Sequence, residues 1–197
     1  MRPLVFVWPY AVVFWLVLFW AFSVEFMIVQ RGRRSAAAPD SKDAGSIRVI
    51  MIGQFLGMLL AFPAASLRLF RFPAAAQVPA FSAGVALLIA ASLLRRHCFR
   101  ILGEYFTGDV RARADQPVID RGAYRFVRHP SYTAGILMFT GIGIALGSWA
   151  SAVILIAGSF AVYSYRVSVE ESALVEAIGE PYAAFMKSRK RFIPYIV

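Results

Sequence analysis

Apolar residues run along this chain in long stretches, without the strict alternation that marks a half-buried strand. The first stretch, residues 4–29, holds a single charged residue, Glu25. As a helix, a stretch of this length reaches about 39 Å, enough to cross a hydrocarbon core of about 30 Å with some tilt. It ends on Gln30-Arg31-Gly32-Arg33-Arg34, which reads as a stop-transfer flank. A cleaved signal peptide would have an apolar core of only about 7–15 residues. Residues 31–46 are polar, contain Pro39 and predict a loop. A second span follows over 47–69, with Gly53 and Gly57 four apart on one face, where small residues let another helix of the chain approach closely. Pro73 to Pro79 predicts a short break, and the third span, 80–94, is short for a membrane crossing unless it begins earlier. Residues 95–131 are basic, lack an apolar period and predict a long loop. Spans four and five, 132–146 and 151–165, form a hairpin turning at Gly147-Ser148. The fifth helix is expected to continue past the membrane surface, through Glu170, to about Ile178, with Pro181 breaking or restarting it.

The expected architecture is an all-α, multi-pass membrane protein of five transmembrane helices. Residues 1–94 hold the first three, and residues 95–197 form a core of cytosolic loop, helical hairpin and C-terminal cytosolic helix. Composition agrees: 59% of the 197 residues are hydrophobic and 16% charged, against about 25% charged in a soluble domain. The net charge of +10 does not imply nucleic-acid binding, because the apolar runs leave little soluble surface for it. Basic residues flanking spans against anionic lipid headgroups account for it. Lys and Arg number five in 31–48, eight in 95–128 and five in 166–191, while Arg2, Arg68 and Arg71 remain for the other side. The positive-inside rule then puts the N-terminus outside and the C-terminus in the cytosol. One cysteine, Cys98, excludes an intrachain disulfide, and with two histidines it cannot fill a four-ligand zinc site, so no metal is expected.

Two clusters carry candidate chemistry. In the first, residues 122–135, Pro130 suits the first turn of a helix, so His129 leads into span four. The free N–H groups and partial positive charge of that helix start would suit a carboxylate. The competing reading is an interfacial anchor, with Arg128 snorkelling and Tyr132 among the headgroups. The second cluster is 166–174, where Arg166 and Glu170 share a helix face; the plain alternative is a surface ion pair worth a few tenths of a kcal/mol. Glu171 points about 100° away from Glu170, so the two acids should have different partners. Glu25 reads as an interfacial residue near Arg31 or Arg33 and not as a proton relay.

Taken in order, these pieces resemble the isoprenylcysteine carboxyl methyltransferase family and the related phospholipid methyltransferases. The matching residues are Arg128-His129-Pro130-Ser131-Tyr132 with Gly135, and Arg166 with Glu170-Glu171 and Leu174. Arg100-x-Leu102-Gly103-x-x-Phe106, Gly122-x-Tyr124, Gly179-Glu180-x-Tyr182 and Arg191-Phe192-Ile193-Pro194 also fit, so the resemblance covers about residues 95–194. It implies a five-helix core, a cytosolic pocket for S-adenosylmethionine and a lipid-side entrance for a lipophilic or lipidated substrate. By position, the cofactor contacts implied are Gln116, Val118, Ile119, Tyr124, His129, Pro130, Ser131, Tyr132 and Glu170, with Arg111 a further candidate. Gln116 stands where the family's eukaryotic enzymes tend to carry histidine. Glu170 would hold a hydrogen-bonding or cationic part of the cofactor, His129 with the adjacent helix start its carboxylate, and Val118 and Ile119 its adenine.

The family's substrate-side, catalytic arginine maps onto Arg166. A guanidinium fork grips a carboxylate at two points, and a carboxylate is ionised at neutral pH without a general base. Methyl-ester formation on an isoprenylcysteine-like acid is therefore the first expectation. Methylation of a phospholipid amine, which Arg166 would repel, is second, and thiol methylation third. A non-enzymatic membrane transport or assembly protein is the alternative of another class; no paired charge within mid-span and no repeat symmetry speak for it.

Overall fold

The computed structural model describes the backbone of residues 2–35, 45–106 and 116–196. Six α-helices account for most of it: α1 Tyr10–Ser35, α2 Ser46–Ser66, α3 Ala74–Leu102, α4 Pro130–Ala145, α5 Trp149–Ile178 and α6 Glu180–Ser188. Among the described residues, α2, α3 and α5 are long and apolar enough to cross a membrane, and Tyr10–Phe26 and α4 are shorter apolar helices.

Several boundaries move from expectation for identifiable reasons. The stretch 4–29 is interrupted before α1 by Pro9, which cannot donate a backbone hydrogen bond. Helix α1 then runs through Ser35, beyond the expected span end, and the rest of the expected loop up to residue 44 lies outside the described residues. Pro79 does not break the chain: it sits near the start of α3, whose N-cap is Pro73. At its other end α3 continues eight residues past the expected stop at 94, reaching Leu102. The arginines that seemed to begin a loop are helical, and the first of them, Arg95, is buried. The division expected between 94 and 95 therefore falls inside a continuous helix. Other boundaries agree: Pro130 occupies the first turn of α4, and α5 ends at Ile178 with Pro181 in the first turn of α6.

The α4–α5 turn follows from its two residues. Gly147 has φ +68°, the left-handed region that favours glycine, and Ser148 caps α5 by accepting from the Ser151 N–H at 3.4 Å. Helix α3 packs on α4 through backbone approach: a Cβ on Gly84 would lie 2.5 Å from the Gly141 carbonyl oxygen, and one on Gly141 would lie 2.7 Å from that of Gly84. The Gly53 and Gly57 face meets Val162 and Leu155 of α5, so the small residues serve a contact within the chain. Around these crossings Phe14, Leu18, Ala61, Phe81, Leu88, Met138, Ile142 and Leu155 form an apolar core. Polar groups collect at one end of the bundle, where α3 finishes, α4 begins and α5 runs on into α6.

Candidate functional site

A cleft opens at this polar end. Its walls come from the end of α3 and the turn after it (Leu102, Tyr105, Phe106), the extended segment Gln116, Pro117, Val118 and Ile119, the start of α4, and α5 with α6 (Leu174, Ile178, Tyr182, Phe185). Its empty volume is about 820 Å³, part of it open to solvent. Tyr124, Arg128, His129, Ser131, Tyr132, Arg166 and Glu170 supply the polar lining.

Residues far apart in sequence therefore converge. The Tyr132 hydroxyl is the junction: it donates to Glu170 Oε2 at 2.5 Å and accepts from Arg166 Nε at 3.1 Å. Arg166 and Glu170, one helical turn apart, thus meet across a tyrosine from another helix and are not a surface pair; Arg166 is 3% exposed. Arg166 Nη1 also donates to Ser46 Oγ at 2.6 Å, which ties the start of α2 to the site. The reading of Tyr132 as a headgroup anchor is overturned by these bonds.

Glu171 does what its 100° offset predicts and faces a different set of partners. It accepts from Arg128 Nε at 2.8 Å, from His129 Nε2 at 3.0 Å, and from Arg191 Nε and Nη2 at 3.0 and 2.8 Å. A carboxylate held by two guanidiniums is an acceptor, so the imidazole must donate from Nε2. That leaves Nδ1 for any further bond, a donor only when the ring is protonated. Arg128 does not snorkel: its Nη1 donates to the Met186 carbonyl at 2.7 Å and to that of Arg189. The C-terminal segment lies alongside the histidine segment, with Arg128 N–H donating to the Lys190 carbonyl at 2.8 Å and His129 N–H to that of Arg191 at 3.0 Å. Thr133 Oγ1 donates to the Phe192 carbonyl at 2.9 Å and completes the clasp.

The structure brings Gln116, Val118, Ile119, Tyr124, His129, Ser131, Tyr132, Arg166 and Glu170 to one cleft. Pro130 is not among the lining residues; it is buried at the first position of α4, where its missing N–H costs nothing. Arg111 lies outside the described residues. Sequence reasoning passed over Glu171 as the hub, although an acid amid so many cations was its visible signal. It also passed over Ser46 and the walls Tyr105, Ile178 and Phe185. Burial pushes the Tyr124 and Tyr182 phenols above the ordinary tyrosine range; Cys98 and Glu170 add to this for Tyr124, and Glu170 and Glu171 for Tyr182. Both remain neutral donors at physiological pH. The Tyr124 hydroxyl is buried beside the Cys98 thiol.

Apolar helices gathered around a polar end cleft define a helical membrane protein with a binding site at one face of the bundle. Residues 84–176, a little under half of the chain, match the sequence profile of the isoprenylcysteine carboxyl methyltransferase (ICMT) family. The chain is 26% identical over 117 residues to the protein-S-isoprenylcysteine O-methyltransferase of Schizosaccharomyces pombe, covering 58% of this chain and 50% of the relative. It is 23% identical over 115 residues to protein-S-isoprenylcysteine O-methyltransferase B of Arabidopsis thaliana, covering 57% and 58%. Against the protein-S-isoprenylcysteine O-methyltransferase of Dictyostelium discoideum, 24% identity extends over 169 residues, 80% of this chain and 68% of the relative. For the first two of these relatives, the matching region spans between half and three fifths of the relative's length. The matched segment 84–176 contains Tyr132, Arg166, Glu170 and Glu171, and it leaves out α1, α2 and α6.

Proposed function

We propose that this chain is an integral membrane methyltransferase that uses S-adenosylmethionine to methylate the carboxylate of a lipophilic, isoprenylcysteine-like substrate. The observation that carries the reading is the convergence of Arg166 and Glu170 on the Tyr132 hydroxyl, within a cleft walled by apolar and aromatic side chains. The names of the relatives support the substrate class.

The residues present suit such a cofactor. Val118, Ile119, Leu102 and Phe106 offer apolar surface for a flat base, Glu170 offers an acceptor for an amine or hydroxyl, and Tyr124 offers a buried hydroxyl. The bound cofactor would supply an electrophilic methyl group. The protein's part is to hold the acceptor in line with that group at about 3–3.5 Å in a water-poor site. Tyr132 gives its one proton to Glu170, so the acid stays an oriented acceptor. Arg166, braced by Tyr132 and Ser46, places a buried positive charge on the cleft wall, where an anionic acceptor is favoured and a protonated amine is repelled. No general base is required, because a carboxylate is already ionised. Glu171 orients His129 and the α6 end, and so sets the shape of the cleft.

The reading includes five membrane crossings, by α1 to α5, with the beginning of the chain outside and α6 in the cytosol. The shorter apolar helices and the Lys and Arg asymmetry support it. The lipophilic substrate would enter from the bilayer, and anionic headgroups would meet the basic rim of the cleft.

The test is calorimetry on detergent-purified protein. S-adenosylmethionine should bind, and Glu170→Ala should lose at least tenfold in affinity, as expected for an acceptor that bonds a charged or polar ligand group. Arg166→Ala should retain cofactor affinity within about threefold and lose most turnover on a prenylated carboxylate; since 1.4 kcal/mol is tenfold, that retention means under about 0.7 kcal/mol of lost binding. A protein that binds no cofactor, or a Glu170→Ala variant with unchanged affinity, would overturn the assignment.

A further inference from the structure

Arg95 is a cation in the interior of an apolar bundle, 5% exposed near the end of α3. Its guanidinium works in two directions. Nε and Nη2 grip the Glu25 carboxylate of α1, Nη2 at 2.9 Å. Nη1 turns the other way and donates to the Ser131 carbonyl at 2.7 Å and the Ser131 hydroxyl at 2.8 Å. Glu25 is thus the partner of Arg95 across the bundle, a pairing that its place in the sequence did not suggest. It neutralises a cation that would otherwise be very costly to bury in the bundle.

The direction of the Ser131 bond is informative. A serine hydroxyl has one proton and two acceptor lone pairs. Arg95 cannot accept, so it occupies a lone pair, and the Ser131 proton must go to another atom. Among the described residues no hydrogen bond uses that proton. Ser131 lines the cleft in the first turn of α4, where backbone N–H groups and the helix dipole already favour an anionic ligand group.

We infer that Arg95, held by Glu25, is a positioning residue that fixes Ser131 as a hydrogen-bond donor to an acceptor oxygen of the ligand in the cleft. This rests on the methyltransferase reading above, with the cofactor's carboxylate as the chemistry that fits. It makes α1, which lies outside the segment matching the family, a working part of the site.

The experiment is a double-mutant cycle on the full-length protein, read by calorimetric binding of S-adenosylhomocysteine together with KM for each substrate. Ser131→Ala and Arg95→Lys should each weaken binding about tenfold, the scale of one hydrogen bond to a charged group. The combined variant should be no weaker than either single change. KM for the methyl acceptor should stay within about twofold, a split that general destabilisation would not produce. The exchange Glu25→Arg with Arg95→Glu restores an ion pair but removes the donor to Ser131, so it should recover thermal stability and leave binding weak. Unchanged affinity in Ser131→Ala, multiplying losses in the cycle, or full recovery of binding by the exchanged pair would overturn the inference. If Arg95→Lys fails to fold, the Ser131→Ala result and the exchanged pair decide. Absence of binding by the unmodified protein would instead remove the functional reading beneath it.

Discussion

The middle of the bundle and its polar end are held together by different physics. In the middle, Phe14, Leu88, Met138, Ile142 and Leu155 make many weak, non-directional contacts, while Leu16, Phe19, Phe55 and Leu60 turn outward. Lipid tails satisfy apolar side chains as well as another helix does, so such contacts alone do not choose one register over another. Glycines at the α3–α4 crossing let the backbones close to a distance that suits one arrangement. At the polar end, selection is by direction: one carboxylate, Glu171, collects bonds from three side chains on two chain segments. The first region tolerates exchange of one hydrophobe for another, and the second does not.

The largest break in that contrast is expected from Glu171→Ala. Removing the acid leaves Arg128 and His129 in a buried site without their countercharge, a loss of about 3–5 kcal/mol by comparison with other broken buried pairs. Denaturant unfolding in detergent should show it, together with loss of cofactor binding as the α6 end comes away from the histidine segment. A variant that unfolds like the parent would deny Glu171 its organising role. Next is Gly141→Leu. Its Cβ would press on the Gly84 carbonyl, which must move, and overpacking of this kind costs about 1–3 kcal/mol. Gly158→Ala, where nothing lies within 4 Å of the added Cβ, is the uncrowded comparison and should be at least as stable as the parent, because alanine suits a helix interior better than glycine. If both glycines tolerate substitution equally, close approach does not set the α3–α4 register. The smallest effect belongs to Leu60→Ala on the outward face of α2, within about 0.5 kcal/mol. A shift comparable to the Gly141 variant would mean that this face has a partner.

Much of this arrangement was legible in the residues. Apolar run length marked α2, α4 and α5, Pro130 marked a helix start, and Gly147-Ser148 marked the turn. The 100° rotation between adjacent helical positions separated the partners of Glu170 from those of Glu171. These features are local: each depends on a few neighbouring residues and on geometry that every helix shares. The candidate site was legible as two clusters, through residue type and spacing. Their convergence on Tyr132 became visible only where α4 and α5 lie side by side.

Other features needed the tertiary structure. Arg95 read as the first residue of a loop because a charge ends an apolar run, yet it continues α3, since Glu25 is waiting on α1. No window of sequence contains both, for they are separated by 70 residues. The same applies to the clasp between Lys190-Arg191 and Arg128-His129, and to Ser46 beneath Arg166. Local sequence determined which segments are helices and which groups are chemically able. Only the packed chain decided which charges could be buried, because a buried charge is stable where its partner is, and that is a property of three-dimensional neighbours.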